Sequence, residues 1–313
     1  MKIDADVSRN FETAKVVAIL VVACGHFLPP SSFWVVVSVA LCLFSFTSGY
    51  FTAVIYGDKP DSIRFVRNKL TRLGPDMIAI NLLLLALFLV QDKANIVSWQ
   101  SLLGILGLTG WLNWLHLPNP SPFGAGLWYF TLLLLFYVSY PLLTRLLRAG
   151  LVGGTAIFSL LVLALWLSDR IPYGHMLWFT AFCFCFGVAF ANQQWKAGWK
   201  NMLLLGGTQM LAFALARFFV VVPTSSIVIA FAALLVVQVL LTVPLPNWLH
   251  APFKPFSACV LEIYFLHTYL FIHPSGMPAL DLIASLAIIL AVSMVTRQVA
   301  SKIQRLFLQQ PEN

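Results

Sequence analysis

The chain reads as a succession of apolar runs separated by short polar punctuation. The runs fall near residues 16–30, 33–56, 74–91, 127–144, 151–168, 174–192, 201–222, 224–243, 256–273 and 279–296. A helix that crosses a bilayer needs about 20 mostly apolar residues. Within lipid a helix also satisfies its own backbone hydrogen bonds. The pattern therefore predicts an all-α, polytopic integral membrane protein of about ten transmembrane helices, read as a single transmembrane domain over 1–313. Neither an internal repeat nor a low-complexity tract interrupts it.

One further stretch, 99–117, is ambiguous. It carries Trp99, Trp111, Trp114 and three glycines, and it leads through His116 into a loop with Pro118, Pro120 and Pro122. Charge decides its placement. With ten spans and a cytosolic N-terminus, 16 of the 19 Lys and Arg fall inside, and Lys93, Arg170 and Arg217 do not. If 99–117 also spanned, every later loop would change sides and the division would be 10 to 9. Cytoplasmic loops are enriched in Lys and Arg. The reading is ten spans with both termini cytoplasmic, and a re-entrant or interfacial segment near 99–117. Irregular backbone at membrane depth is tolerated where it lines a cavity, so this segment is a candidate cap over a site.

Composition agrees. Of 313 residues, 60% are hydrophobic and only 10% charged. That is too few charges for a soluble surface and too much apolar mass for a disordered chain. The net charge of +8 would suggest nucleic acid in a soluble protein, but here the cytosolic loops account for it. All five cysteines lie in apolar runs and read as small core hydrophobes, with no disulfide and no metal site. The N-terminal run follows Lys2, Arg9 and Lys15 and ends at Pro29-Pro30, in the manner of an uncleaved signal anchor. There is neither a phosphate-cradling Gly-rich loop nor a Gly-x-Ser-x-Gly elbow.

Titratable groups inside apolar runs are expensive, and so are candidates for function. Lys15 and His26 are eleven residues apart, on nearly one helical face and roughly 16 Å apart along the axis. Glu12 lies within about 40° of that face and three residues before Lys15, close enough to pair. A neutral imidazole acts as a general base near pH 7. The other reading of His26 is a histidine bonded to a neighbouring helix. The loop between the second and third runs carries Lys59, Arg64, Arg67, Lys69 and Arg72. These cations suit a polyanion such as the phosphates of a nucleotide or coenzyme A, or the anionic lipid of the membrane surface.

The ninth run holds Glu262, Tyr264, His267, Tyr269 and His273. On a continuous helix Glu262, Tyr269 and His273 share one face, and Tyr264 and His267 another. The set suits a binding site or a structural hydrogen-bond network. Arg217 suits pairing with Glu262, holding an anionic substrate, or reaching out to the interface. Trp128-Tyr-Phe130 with Phe136-Tyr137 reads as an interfacial belt with helix packing.

Five segments together resemble the membrane-bound acyltransferase family 3. Arg9-Asn-Phe-Glu12-Thr-Ala-Lys15, ending at His26, resembles its opening motif of a basic residue, ten others and a histidine. Phe44-Ser-Phe-Thr-Ser48-Gly49-Tyr50 is similar to its Phe-rich Ser-Gly-aromatic motif. Phe65-Val-Arg-Asn-Lys69-Leu-Thr-Arg72-Leu-Gly-Pro75 is similar to its basic-x-x-Arg-x-x-Pro motif, and Trp128-Tyr-Phe with Pro141 to its fourth span. Leu261-Glu-Ile-Tyr264-Phe-Leu-His267 is similar to its late Tyr-x-x-His motif. The departures are Lys15 and Lys69 for Arg, Leu133 for a frequent Glu, and Val260 for a frequent Ser.

The resemblance implies an O-acyltransferase of the plasma (inner) membrane. It would use acetyl-CoA or another acyl-CoA as co-substrate, with no tightly bound cofactor, and would act on a glycan, polysaccharide or glycolipid acceptor. It further implies His26 as catalytic base beside Glu12 and Lys15, and coenzyme A bound by Arg64, Arg67, Lys69 and Arg72. Trp128, Arg217, Glu262, Tyr264 and His267 would face substrate. Two other functions fit a polytopic chain. One is a transporter or flippase for a glycan or lipid intermediate, whose matching broken-helix halves are not seen here. The other is a non-catalytic partner in polysaccharide assembly.

Overall fold

A computed structural model describes residues 4–57, 61–124, 127–171, 176–194, 198–200, 203, 206–207, 210–211, 213–214, 218 and 224–308. Among these residues the secondary structure is helical, with no strand. The elements are α1 (Ala5–Phe27), α2 (Pro30–Tyr56), α3 (Ser62–Val90), α4 (Trp99–Ile105), α5 (Gly110–Trp114) and α6 (Trp128–Leu146). They continue with α7 (Leu151–Arg170), α8 (Leu177–Asn192), α9 (Thr224–Thr242), α10 (Asn247–His250), α11 (Val260–Leu266) and α12 (Pro278–Leu308).

Six helices are long and apolar enough to cross a membrane: Ala5–Phe27, Phe33–Tyr56, Ser62–Val90, Trp128–Leu146, Leu151–Ser168 and Pro278–Leu306. Leu177–Asn192 and Ser226–Thr242 are apolar but shorter. Among the described residues the count is therefore six rather than about ten. Most of the run 201–222, including Arg217, lies outside the described residues.

Two expectations change. The basic segment after residue 61 is not a loop, because α3 begins at Ser62 and runs through Gly74 and Pro75 to Val90. Proline inside a helix removes one backbone bond, and here the flanking turns still carry the helix through it. The ninth run is not one helix either. A 3-10 turn at Lys254–Cys259 precedes α11, and another at His267–Tyr269 follows it. His267 Nδ1 faces the Tyr264 carbonyl at 2.7 Å and the Ile263 carbonyl at 3.3 Å. Carbonyls only accept, so Nδ1 carries the proton and caps the last turn. Tyr269 and His273 thus do not share a helical face with Glu262.

The contacts divide the chain into two compact units, and α6 is split between them at Tyr137 and Val138. One unit is Met1–Asp61 with Val138–Lys254. Its core is aromatic: Phe11 stacks on Phe46 and Tyr50 with centroids 5.9 and 6.3 Å apart, and Phe46 meets Phe186 and Phe190. α2 and α8 approach closely through two glycines. A Cβ at Gly49 would fall 2.1 Å from the Phe184 carbonyl oxygen, and one at Gly187 2.3 Å from that of Phe46. The obstacles are backbone, which cannot swing aside, as at the small-residue interfaces of membrane helices. Gly49→Ala is expected to lower stability by about 1–3 kcal/mol through overpacking, read as an earlier thermal unfolding of the purified protein. Gly74→Ala, whose Cβ meets nothing within 4 Å, is the control.

The other unit is Ser62–Tyr137 with Pro255–Asn313. Here α3, α11 and α12 pack on one another. The segment 99–117 folds as α4 and α5, of seven and five residues, far short of a span. It seats on the chain before and within α6. The Cβ positions of Gly104 and Gly107 would meet Phe123 and Phe130, and the Gly110 amide donates to Thr131 Oγ1 at 2.9 Å. Ser101 and Ser121 hydroxyls lie 2.8 Å apart.

Candidate functional site

α1 starts where Asp4 caps the Asp6 amide at 2.8 Å. Its apolar positions, Phe11, Val16, Ile19 and Val22, turn into the core. The polar residues of its opening motif divide into two sets. Arg9 donates to Asn247 Oδ1 at 2.7 Å and pairs with Asp6. Asn10 is buried and clamps the end of α9: its Nδ2 donates to the Leu240 and Val243 carbonyls at 2.9 and 2.8 Å, and its Oδ1 accepts from the Leu245 amide. Thr13 Oγ1 lies 2.6 Å from His250 Nδ1, and His250 Nε2 lies 3.1 Å from the Leu245 carbonyl. That carbonyl requires a donor, so Nε2 carries the proton and Nδ1 accepts from Thr13. These contacts hold the fold.

Glu12, Lys15 and His26 form the other set. Glu12 is exposed and Lys15 half-buried. His26 lies in the last turn of α1 and is exposed. The helix places it at the end opposite Arg9, roughly 26 Å away along the axis.

In the second unit the first turns of α3 carry Arg64, Arg67, Lys69 and Arg72. Phe65, Lys69, Arg72 and Asp76 follow one another at helical spacing. Arg64, Arg67 and Arg72 are exposed. The Lys69 ammonium lies 4.7 Å from the Tyr137 ring centroid and 5.6 Å from that of Phe65. Those rings support the cation by its attraction to their π faces, leaving the arginines as the outward-facing cations.

One turn beyond Arg72 the character of α3 reverses. Asp76 is nearly buried and bonds Arg297 Nη1 of α12. The same nitrogen lies 3.7 Å from Oε1 of Glu262, on α11. Glu262 has no solvent exposure, and neither of its oxygens has a hydrogen-bond partner among the described residues. Two carboxyls therefore share one guanidinium. Sequence reading placed Glu262 among site residues but passed over Asp76 and counted Arg297 only as a loop charge. The available signal was an acid at the start of one apolar run and a base at the end of another.

On the other side of α11 an aromatic series leads from Trp128 to His267. Trp128 contacts Tyr129, Tyr129 meets Tyr264 at 6.0 Å between centroids, and Tyr264 meets His267 at 6.1 Å. With Nδ1 donating to the Tyr264 and Ile263 carbonyls, Nε2 is the His267 ring nitrogen that these bonds leave unused. The structure thus groups Trp128, Tyr264 and His267, and sets Glu262 apart with Asp76 and Arg297. A cavity of about 640 Å³ between α3 and 96–106 is lined by Met77, Ile78, Leu82, Val97 and Leu102, and has no titratable side chain in its wall. No group of three or more His, Cys, Asp or Glu suited to a metal occurs among the described residues.

A family model for an acyltransferase domain matches residues 9–297. Neither a curated protein nor a solved structure matches the chain.

Proposed function

Because the chain belongs to acyltransferase family 3, we propose that it moves an acyl group, acetyl in the simplest case, from cytosolic acyl-CoA to a hydroxyl of a glycan, polysaccharide or glycolipid. The observation that carries this reading is the family match over 9–297, which takes in both the His26 helix and the basic turns of α3. In this reading the protein sits in the plasma (inner) membrane with both termini in the cytoplasm, and membrane lipid surrounds it. Acyl-CoA is a co-substrate, and no cofactor stays bound.

The chemistry asks for two things. A hydroxyl is a poor nucleophile, so a base must take its proton as it attacks the thioester carbonyl. His26, accessible at the end of α1, is that base, with Glu12 and Lys15 on the same helix. The C–S bond breaks, coenzyme A leaves as the thiol, and the ester forms on the acceptor. The donor's phosphates need cations, and Arg72 supplies the first of them, with Arg64, Arg67 and Lys69 beside it. Trp128, Tyr264 and His267 face the acceptor; Arg217 and Glu262 complete the polar set of the reading.

The test is thiol release from acetyl-CoA by the purified protein in lipid nanodiscs, with and without a glycan acceptor. A charge-assisted hydrogen bond contributes about 1.5–3 kcal/mol, so Arg72→Ala is expected to raise KM for acyl-CoA roughly tenfold or more. An unchanged KM would return the basic turns to a role in topology alone. No acceptor-dependent thiol release by the unaltered protein would refute the reading.

A further inference from the structure

α3 is longer than the core of a bilayer. Its 29 residues rise roughly 43 Å, against about 30 Å of hydrocarbon. The surplus falls in the polar turns that start at Ser62. Arg67 therefore stands at headgroup level, and the stretch from Gly74 onward lies among the lipid chains.

One stripe joins the two levels. Arg67, Thr71, Gly74, Ile78, Leu82 and Leu85 recur at steps of three and four residues, so they share a face of α3. Along it Arg67, Thr71, Ile78 and Leu82 are exposed. Arg72 lies about 140° round the helix from Arg67, on the side of Asp76 and Arg297.

From Gly74 to Leu85 the stripe is one wall of the cavity of about 640 Å³, and residues 96–106 form the other. Gly74 leaves one end open, since a Cβ there would meet nothing within 4 Å. The polar side chains of the walls are turned into the protein. Asn81 Nδ2 donates to the Met77 and Ile105 carbonyls at 2.9 and 3.1 Å. The Ser101 hydroxyl is engaged with Ser98, Ser121 and the Asn95 carbonyl. A glycan would find few partners there, whereas a hydrocarbon chain fits. Gly74 to Leu85 spans roughly 16 Å, about half of the hydrocarbon core and so the depth of one leaflet. Lipid tails are as apolar as these walls, so the hydrophobic effect alone selects nothing. Selection comes from close packing on two sides and from the cation above the entrance, which favours an anionic head.

We propose that the groove between α3 and residues 96–106 binds one chain of an anionic glycerophospholipid, with its phosphate held by Arg67 and Thr71. The site does not depend on the acyl-CoA reading. The lipid fills the gap between α3 and the segment 96–106 and fastens the one to the other.

Native mass spectrometry of the purified full chain reads the first lipid retained. The probes are dioleoylphosphatidylglycerol and dioleoylphosphatidylcholine, which share their chains and differ in head charge. The unaltered protein is expected to hold the phosphatidylglycerol more tightly. Arg67→Ala should weaken it about fivefold, the worth of one cation near a lipid surface. The phosphatidylcholine should lose less, since its own ammonium offsets the phosphate. Leu82→Trp fills the groove from an exposed position and should weaken both lipids alike. Should it fail to fold, Ile78→Phe, also exposed, repeats the groove test. Arg305→Ala removes an exposed cation at the end of α12 and should change neither lipid. Equal losses from Arg67→Ala and Arg305→Ala would make the effect one of general surface charge and overturn the site, as would unchanged binding in the groove variant. Displacement of the lipid by coenzyme A would give Arg67 to the donor. Displacement by palmitoyl-CoA alone would give the groove to the donor's acyl chain. Either result overturns the proposal.

Discussion

Replacing His26 with alanine is expected to lower acyl transfer by about 10²- to 10⁴-fold, the usual loss when a general base is removed. The structure makes the experiment clean. The buried face of α1 is carried by Phe11, Val16, Ile19 and Val22, and the helix is anchored through Arg9, Asn10 and Thr13. His26 is exposed in the last turn, apart from these anchors. The variant is expected to express and insert as the unaltered protein does. Its affinity for coenzyme A, measured without turnover, should also be unchanged, because the cations assigned to the donor lie on α3. Turnover above about a third of normal would exclude His26 from the proton transfer, since no base at the chemical step is that dispensable. A variant that fails to fold would instead make His26 a structural histidine. His250 is the opposite kind of group. Buried, with both ring nitrogens engaged by Thr13 and Leu245, it holds α1 to the segment after α9.

What could be read from the sequence was set by the range of the interactions. Apolar runs are local, and they placed α2, α6, α7, α8 and α9 within a few residues, whereas α1 begins eleven residues before its run and α12 ends twelve residues beyond its own, because polar residues extend both helices past their apolar stretch. The segment 99–117 was ambiguous by composition and was placed by charge alone; its short helices seated on Phe123, Phe130 and Thr131 come from packing that the sequence does not display. Two local signals misled. Gly74-Pro75 looks like punctuation, but α3 passes through it, so a basic loop became the exposed start of a long helix. The ninth run looks continuous, yet His267 turns its imidazole back onto the carbonyls of its own helix and closes it after Leu266. The same bond fixes that Nδ1 carries a proton, a fact about Tyr264-Phe-Leu-His267 that no spacing rule contains.

Non-local pairing lay out of reach. Asp76 and Arg297 are 221 positions apart, and neither is unusual where it stands: one follows a proline at the start of an apolar run, the other closes the last. Only packing of α3, α11 and α12 turns them, with Glu262, into one buried cluster. Asn10 is a similar case. Its place in the opening motif invites a chemical role, while its three bonds to the backbone around Leu240, Val243 and Leu245 show a clamp.

Arg297→Ala should be among the most destabilising single changes in the second unit. Removing one partner of a buried ion pair typically costs about 3–5 kcal/mol, because the other charge stays enclosed without compensation. Here two carboxyls lose the same counter-ion: Asp76, bonded to the guanidinium, and Glu262, 3.7 Å from it. The Arg297 side chain is one-third exposed, and solvent screening removes part of the loss, so the lower end, about 3 kcal/mol, is expected. Thermal unfolding of the purified protein, followed by circular dichroism in one detergent throughout, measures it. Arg297→Lys keeps the charge but not the planar fork, and should fall between the alanine variant and the unaltered protein. The decisive comparison is a triple variant. If the cost comes from uncompensated acids, adding Asp76→Asn and Glu262→Gln to Arg297→Ala should recover more than half of the lost stability. If it came only from the packing of the long arginine stem, the two extra changes would recover nothing. An Arg297→Ala protein as stable as the original would mean that the pair joining α3 and α12 contributes nothing to the fold.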